Sequence, residues 1–515
     1  MISKNKVSII GVSICCLLEF LCVATIVYAQ QYVAVPLNAS DKELLQASLT
    51  VKPSERQLKW QEMEYYGFIH FGINTFTGQE WSDGTNSPDL FNPTALDAEQ
   101  WVATFKNAGM KGLILTAKHH DGFCLWPTKT TNYSVAASPW RNGQGDLVRE
   151  VSEACRRHGL KMGVYLSPWD RNHPAYGDSP VYNQVFREQL TELLTNYGEL
   201  FEMWFDGANG EGPNGKIQVY DWESYYALIR RLQPQAVIAI MGPDVRWVGN
   251  EAGKGRDPEW SVLPVESASQ KSIAEDSQQE LSNCLFIPKN AKGDDMGSRH
   301  LLRGTRALIW YPSEVDTSIR PGWFYHPEQD NQVKSPEVLE EIYYNSVGMN
   351  STLLLNVPPD RRGLLHENDI KSLMQLKERI ENVFSNNLLE KAHIRYSMED
   401  KNHSVQNLIT KDKKVYWKAE DKDNQPILEF RFKTNVSFNR LVLQEPIYNG
   451  QRIEKFVLEI YRDKQWITVA EGKTVGYKRI LSFPVVETKC VRVRFLSYRS
   501  APELQYIGVF LSPGD

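Results

Sequence analysis

Two hydrophobic patterns alternate from residue 60 to residue 357. Short apolar runs end in polar, glycine-containing loops, and each loop leads towards a stretch with helical spacing. The first run is 65–72, followed by a helix over 99–108. Runs at 111–117, 160–167 and 200–207 precede helices over 146–158, 182–197 and 222–232, and a fifth run covers 236–241. Strands alternating with helices of about 10 to 15 residues imply a parallel sheet. This many units in one stretch favours a closed (β/α)8 barrel over an open sheet. After 241 the count loosens: 307–311 and 351–357 read as strands, but 267–306 is polar and irregular. The expectation is an α/β fold, an irregular TIM-like barrel over 45–385 with some helices missing, closed by a helix over 367–384.

The helical period disappears after residue 385. Alternating runs at 426–432, 440–443, 456–461 and 491–495, separated by Asn, Asp, Lys and Gly, predict an all-β antiparallel sandwich over 393–513. At the other end, Lys4 and Lys6 precede an apolar run from Val7, and small residues lead to Ala29. That is the layout of a secretory signal peptide over 1–29, with an uncleaved anchor as the alternative. The mature chain is then exported, periplasmic or extracellular. It retains Cys124, Cys155, Cys284 and Cys490, too scattered for a disulfide scaffold or a zinc site. No later apolar stretch is long enough to span a membrane.

A net charge of −5 with no basic run excludes nucleic acid as the obvious partner. Fourteen Trp and 23 Tyr offer flat faces that suit sugar rings, although most must serve the core. The chemistry gathers at apparent strand ends. Asp206 closes the apolar run Leu200-Phe201-Glu202-Met203-Trp204-Phe205, and the C-terminal ends of strands are where barrels build their sites. His70 ends the first run, and Lys118-His119-His120-Asp121-Gly122 follows the second. Neutral imidazoles there could donate to hydroxyl groups. A metal site is the rival, but adjacent histidines on a regular strand point to opposite faces, which argues against it. Glu251, between glycines and after Trp247, is a candidate proton donor with Glu211, Glu259 and Glu266 as competitors. A pair of carboxylates is what glycoside hydrolysis demands.

The runs Phe68-Ile69-His70-Phe71-Gly72, Gln79-Glu80-Trp81, Lys118-His119-His120-Asp121-Gly122-Phe123, Tyr165-Leu166-Ser167-Pro168-Trp169, Trp204-Phe205-Asp206-Gly207 and 350–358, in this order, resemble the α-L-fucosidases of glycoside hydrolase family 29 over residues 45–385. The resemblance implies Asp206 as nucleophile and no metal or organic cofactor. It implies sugar contacts from His70, Glu80, Trp81, His119, His120, Tyr165 and Trp204, with Arg246 grouped beside them and Trp323 near the fucose methyl group. The run Trp247-Val248-Gly249-Asn250-Glu251-Ala252-Gly253 resembles the subfamily selective for α-1,3/1,4-linked fucose on branched, Lewis-type glycans, with Glu251 as acid/base. The implied partners are fucosylated oligosaccharides or glycoconjugates. The sandwich resembles discoidin-like domains that often serve as carbohydrate-binding modules; a structural domain packed on the barrel is the alternative. A broad-specificity fucosidase and a non-catalytic glycan-binding protein remain the alternatives.

Overall fold

A computed structural model describes residues 32–267, 286–288, 293–409, 412 and 414–512. The leader expected over 1–29 and Cys284 lie outside these residues. Eight parallel strands form the barrel: β1 (Tyr65–Ile69), β2 (Gly112–Lys118), β3 (Lys161–Leu166), β4 (Leu200–Phe205), β5 (Val237–Ile240), β6 (Arg246–Trp247), β7 (Ser313–Ser318) and β8 (Thr352–Asn356). Their order is β5-β4-β3-β2-β1-β8-β7-β6, and the ring closes through a single bridge between Ala239 and Val245. Helices α1 (Ala98–Asn107), α2 (Leu147–His158), α3 (Ser179–Asn196), α4 (Trp222–Leu232) and α5 (Pro336–Ser346) cover the outside, and α6 (Glu367–Phe384) ends the domain.

Alternation along each strand divides the core in two. Tyr65, Ile69, Leu113, Leu115, Val164, Met203 and Phe205 face the helices. Tyr66, Phe68, Ile114, Tyr165, Trp204, Val237, Ala239 and Leu354 fill the barrel interior. Three of these helices begin where an aspartate accepts a backbone N–H that the first turn leaves free. Asp97, Asp146 and Asp221 accept from Gln100, Arg149 and Ser224. On β1, Gly67 faces α1 so closely that a β-carbon there would lie 2.5 Å from the Phe105 ring.

One expectation needs correction. Ala307–Trp310 is a strand, but it belongs to a separate antiparallel sheet with Tyr32–Ala34, Val262–Ser267 and Phe286–Pro288. The barrel's own strand there is Ser313–Ser318, which carries polar residues inward and so shows no apolar run. β6, only two residues long, gave no sequence signal at all. Between β5 and β6 the chain turns without a helix, which is the irregularity expected beyond 241.

The C-terminal unit is antiparallel, built on three long strands, β9 (Ile427–Gln444), β10 (Ile453–Arg462) and β11 (Arg479–Tyr498), around its own core. The short runs read at 426–432 and 440–443 are the two ends of β9. This unit packs firmly on the barrel. Lys478 and the Tyr477 hydroxyl reach Glu64 at 2.6 and 3.0 Å, Ser261 N–H donates to Gln451 at 2.8 Å, and Phe510 meets Phe384 edge to face. Among the described residues no helix is long and apolar enough to cross a membrane.

Candidate active site

The C-terminal ends of β1 to β4 converge on one polar pocket. Because β4 alternates, Glu202 and Trp204 point into the barrel and Asp206 emerges above them at the mouth. The Tyr165 hydroxyl, from the neighbouring strand in register with Trp204, donates to Asp206 Oδ2 at 3.1 Å. Ala208 N–H donates to Asp206 Oδ1 at 2.7 Å, and His120 Nε2 lies 3.8 Å from Oδ2. The side chain of Asp206 is one-quarter exposed, so the carboxylate is held yet reachable.

Both histidines of the pair face this pocket, although adjacent residues on a regular strand would not. β2 ends at Lys118, and the chain has already turned where His119 and His120 stand, with ring centroids 4.1 Å apart. The opposite-face argument used against a metal site therefore does not apply at these positions. Their neighbours decide the protons. Ser167 Oγ donates to the Trp169 carbonyl at 2.8 Å, so it accepts from His120 Nδ1 at 2.7 Å, and Nε2 of the neutral ring is left as an acceptor. The Asn356 amide group donates to Ser318 and to the Trp323 carbonyl, so its oxygen accepts from His70 Nδ1 at 2.9 Å, and Nε2 again is an acceptor. This reverses the polarity expected from the sequence, in which the imidazoles donate. Burial keeps all three rings neutral: it lowers His70 to about 3 and His119 well below the ordinary histidine value, and it outweighs the Asp206 charge that favours protonated His120. His119 Nδ1 is buried without a partner, 3.9 Å from Asp121.

Aromatic rings wall the pocket. Tyr165 stacks on Trp204 at 5.2 Å, and Trp323 lies 5.1 Å from the His70 ring. Trp81 is 57% exposed and meets His120 and Trp169 edge to face, which leaves its indole at the rim. Trp204 donates its N–H inward to Glu314 at 2.7 Å, so only its face is offered upward. Glu80 grips the loop that carries Trp323. It accepts from Trp323 N–H at 3.0 Å and pairs with His326 at 2.6 Å. Glu251 stands on the exposed loop after β6 and accepts from the Trp323 indole at 3.4 Å. Partial burial pushes its carboxyl above the ordinary glutamate range, and the charges of Asp206 and Glu80 push in the same direction.

Arg246 is not brought to this pocket, and its expected sugar contact is corrected. Its guanidinium is buried, paired with Glu259 and donating to the Tyr311 carbonyl at 3.1 Å. Glu259, one of the competitors for the acid role, is thereby spent, and its backbone is tied to Thr474 and Gln451 of the C-terminal unit. Glu211 lies on the same loop as Asp206, where its backbone carbonyl receives the Trp169 indole.

Residues 46–381 match the family described as Alpha-L-fucosidase, and residues 393–505 match the F5/8 type C domain. The chain belongs to the α-L-fucosidase family. Alpha-L-fucosidase 1 of Arabidopsis thaliana is 43% identical over 467 residues, which is 89% of this chain and 87% of that one. A Bacteroides ovatus crystal structure is 48% identical with a TM-score of 0.83, covering 95% of this chain and 79% of the other. A Ruminococcus gnavus family 29 fucosidase solved with fucose is 30% identical with a TM-score of 0.78, covering 90% and 95%. The chain is thus a glycoside hydrolase with a fucosidase barrel and a discoidin-like C-terminal domain.

Several groups that shape this fucosidase pocket were missed in the sequence. Ser167 and Asn356 set the imidazole protons, and they lay inside recognised runs without being singled out. Glu314 and Asp316, on the unrecognised strand β7, hold the N–H groups of Trp204 and Trp247 at 2.7 Å each. The one available signal was Glu202, a lone carboxyl in the middle of an apolar strand.

Proposed function

We propose that this fucosidase is a retaining, exo-acting enzyme that releases α-1,3/1,4-linked L-fucose from branched, Lewis-type glycans, acting as an exported, periplasmic or extracellular protein. Asp206 attacks the anomeric carbon while Glu251 protonates the leaving oxygen, giving a covalent fucosyl-enzyme. Glu251, now ionised, takes a proton from the water that releases fucose. His70 and His120 accept from sugar hydroxyls at Nε2, Tyr165 steadies the nucleophile, and the faces of Trp204 and Trp323 meet the apolar side of the ring. His119, Glu80 and Trp81 complete the wall and rim.

The observation that carries the reading is the contrast between the two carboxyls. Asp206 receives two hydrogen bonds suited to an anion, whereas Glu251 receives one long one and is pushed towards its protonated form. A double displacement needs this division between an ionised nucleophile and a protonated acid. The linkage preference rests on the Trp-Val-Gly-Asn-Glu-Ala-Gly run around Glu251. Its test is fucose release from a Lewis a or Lewis x trisaccharide beside α-1,2-fucosylated lactose. Comparable release from the 1,2-linked sugar would sink the linkage claim and leave a broad-specificity fucosidase.

A further inference from the structure

The floor of the pocket contains two carboxyls that the proposed reaction does not use. Glu202 on β4 and Glu314 on β7 are both fully buried inside the barrel, close enough for each to act on the other's proton affinity. Tyr66, Phe68, Ile114, Val237 and Leu354 surround them with apolar and aromatic surface, so two full charges in contact are excluded there. The pair therefore holds one proton, and the surrounding donors decide where it sits. Glu314 accepts twice, from Trp204 Nε1–H at 2.7 Å and from the Tyr66 hydroxyl, which is also 3.2 Å from Thr352 Oγ1. Glu202 accepts from Trp60 Nε1–H at 2.9 Å through Oε2, and its Oε1 has no donor facing it. Glu202, with one donor, thus holds the proton, and Glu314, with two, keeps the charge. Burial raises both carboxyls, and the Glu314 charge adds to it at Glu202, which is pushed well above the ordinary glutamate range.

We infer that the Glu202–Glu314 acid pair is a positioning device for the nucleophile: ionised Glu314 fixes the Trp204 ring, on which Tyr165 stacks and from which Tyr165 reaches Asp206. The inference rests on the reading of Asp206 as nucleophile. Each link is short, from Glu314 to the Trp204 indole at 2.7 Å, from Trp204 to Tyr165 at a ring spacing of 5.2 Å, and from the Tyr165 hydroxyl to Asp206 at 3.1 Å. Both glutamates are fully buried below the pocket, out of reach of a sugar bound in it. Asp316, the next inward carboxyl on β7, belongs to a separate contact with Trp247.

Two isosteric, neutral substitutions separate the members of the pair. Glu202→Gln keeps a carbonyl for Trp60 and puts an uncharged N–H donor where the acid carries its proton. Glu314→Gln sets an amide N–H against a donor, either Trp204 or Tyr66, and the ring must move. Hydrolysis of 4-nitrophenyl α-L-fucoside, whose leaving group needs little help from Glu251, reads the nucleophile side alone. E202Q should stay within about three-fold of the wild type in kcat, while E314Q should lose about 100-fold in kcat, the cost of a nucleophile displaced by a fraction of a bond length. Trp204→Phe keeps an aromatic face in a smaller ring and removes the N–H, so it should lose activity in parallel with E314Q. That variant carries the test if E314Q does not fold. Equal losses in E202Q and E314Q, or wild-type kcat in folded W204F, would overturn the proposal. Asp206→Ala measured alongside separates the two readings: activity retained there overturns the nucleophile itself, whereas a dead D206A with indistinguishable glutamine variants overturns only the pair.

Discussion

Lys118, immediately before the histidine pair, offers the most demanding test of how the pocket is held. Its ammonium is fully buried, and its three protons go to Asp170 at 3.1 Å, the Tyr182 hydroxyl at 2.9 Å and the Gln189 carbonyl at 3.0 Å. Asp170 is equally buried. Burial pushes its carboxyl up, but Lys118 and the His173 N–H outweigh this and leave it below the usual carboxylate range. Lys118→Met keeps most of the volume and strands the Asp170 charge, which costs about 3–5 kcal/mol. A domain of this size unfolds with an entropy near 0.7 kcal/mol/K, from about 2.1 cal/mol/K per residue, so the apparent melting temperature should drop by about 4–7 °C. The pH dependence has a definite sign. In the wild type the depressed carboxyl gives stability that is present above the unfolded value of about 3.9 and lost only as pH falls through its still lower folded value. In the variant the largest opposing charge is gone and only the hydrogen bonds from His173, Asn172 and Tyr182 remain against burial, so the folded Asp170 value rises above the unfolded one and the penalty is relieved as pH falls. The gap between the two proteins should therefore be widest near pH 7 and narrow towards pH 4.5. The assay is calorimetry at fixed scan rate across that range. A K118M protein melting within a degree of wild type at pH 7 would refute the reasoning.

Glu251→Gln should cost about 10²–10⁴-fold on a trisaccharide, the usual range for losing a general acid, and far less on 4-nitrophenyl fucoside. Equal losses on the two substrates would remove Glu251 from the acid role. Since Glu251 must be protonated for the first step, kcat/KM should fall as pH rises through its raised value. Trp323→Phe deletes the N–H that favours the ionised form, so the alkaline limb should move to higher pH, and a shift to lower pH would contradict the assignment. Gly67→Ala places a methyl group against the Phe105 ring and should destabilise by about 1–3 kcal/mol through overpacking, read as a lower melting temperature with little change in KM.

How far the sequence could be read depended on where each residue's partner lies. Hydrophobic period located β1 to β5 and their helices because those strands are apolar on both faces, and it placed the helices over 222–232 and 367–384 at the observed bounds. It failed at β7, where Glu314, Asp316 and Ser318 point inward and make a buried strand look like a polar loop. It chose Ala307–Trp310 instead, an equally apolar run that serves a different sheet. The pocket's parts were visible as strand-end residues, and Asp206, His70, His119, His120 and Tyr165 do come together. What could not be seen is pairing across the barrel. Nothing near Arg246 announces that Glu259 claims it, and nothing near the histidines announces that Ser167 and Asn356 take their Nδ1 protons and leave acceptors. A single residue's type gives its repertoire, and only the fold says which part of that repertoire is already used.

The central claim is that Asp206 becomes bonded to fucose during turnover. A 2-deoxy-2-fluoro-L-fucosyl fluoride slows the second step more than the first, so the glycosylated enzyme should accumulate and survive proteolysis. Mass spectrometry of the digest should find one added fluorofucosyl group, on the peptide carrying Trp204-Phe205-Asp206-Gly207, with fragment ions assigning it to Asp206. An adduct on another carboxylate, or steady turnover with no adduct at any position, would contradict the account.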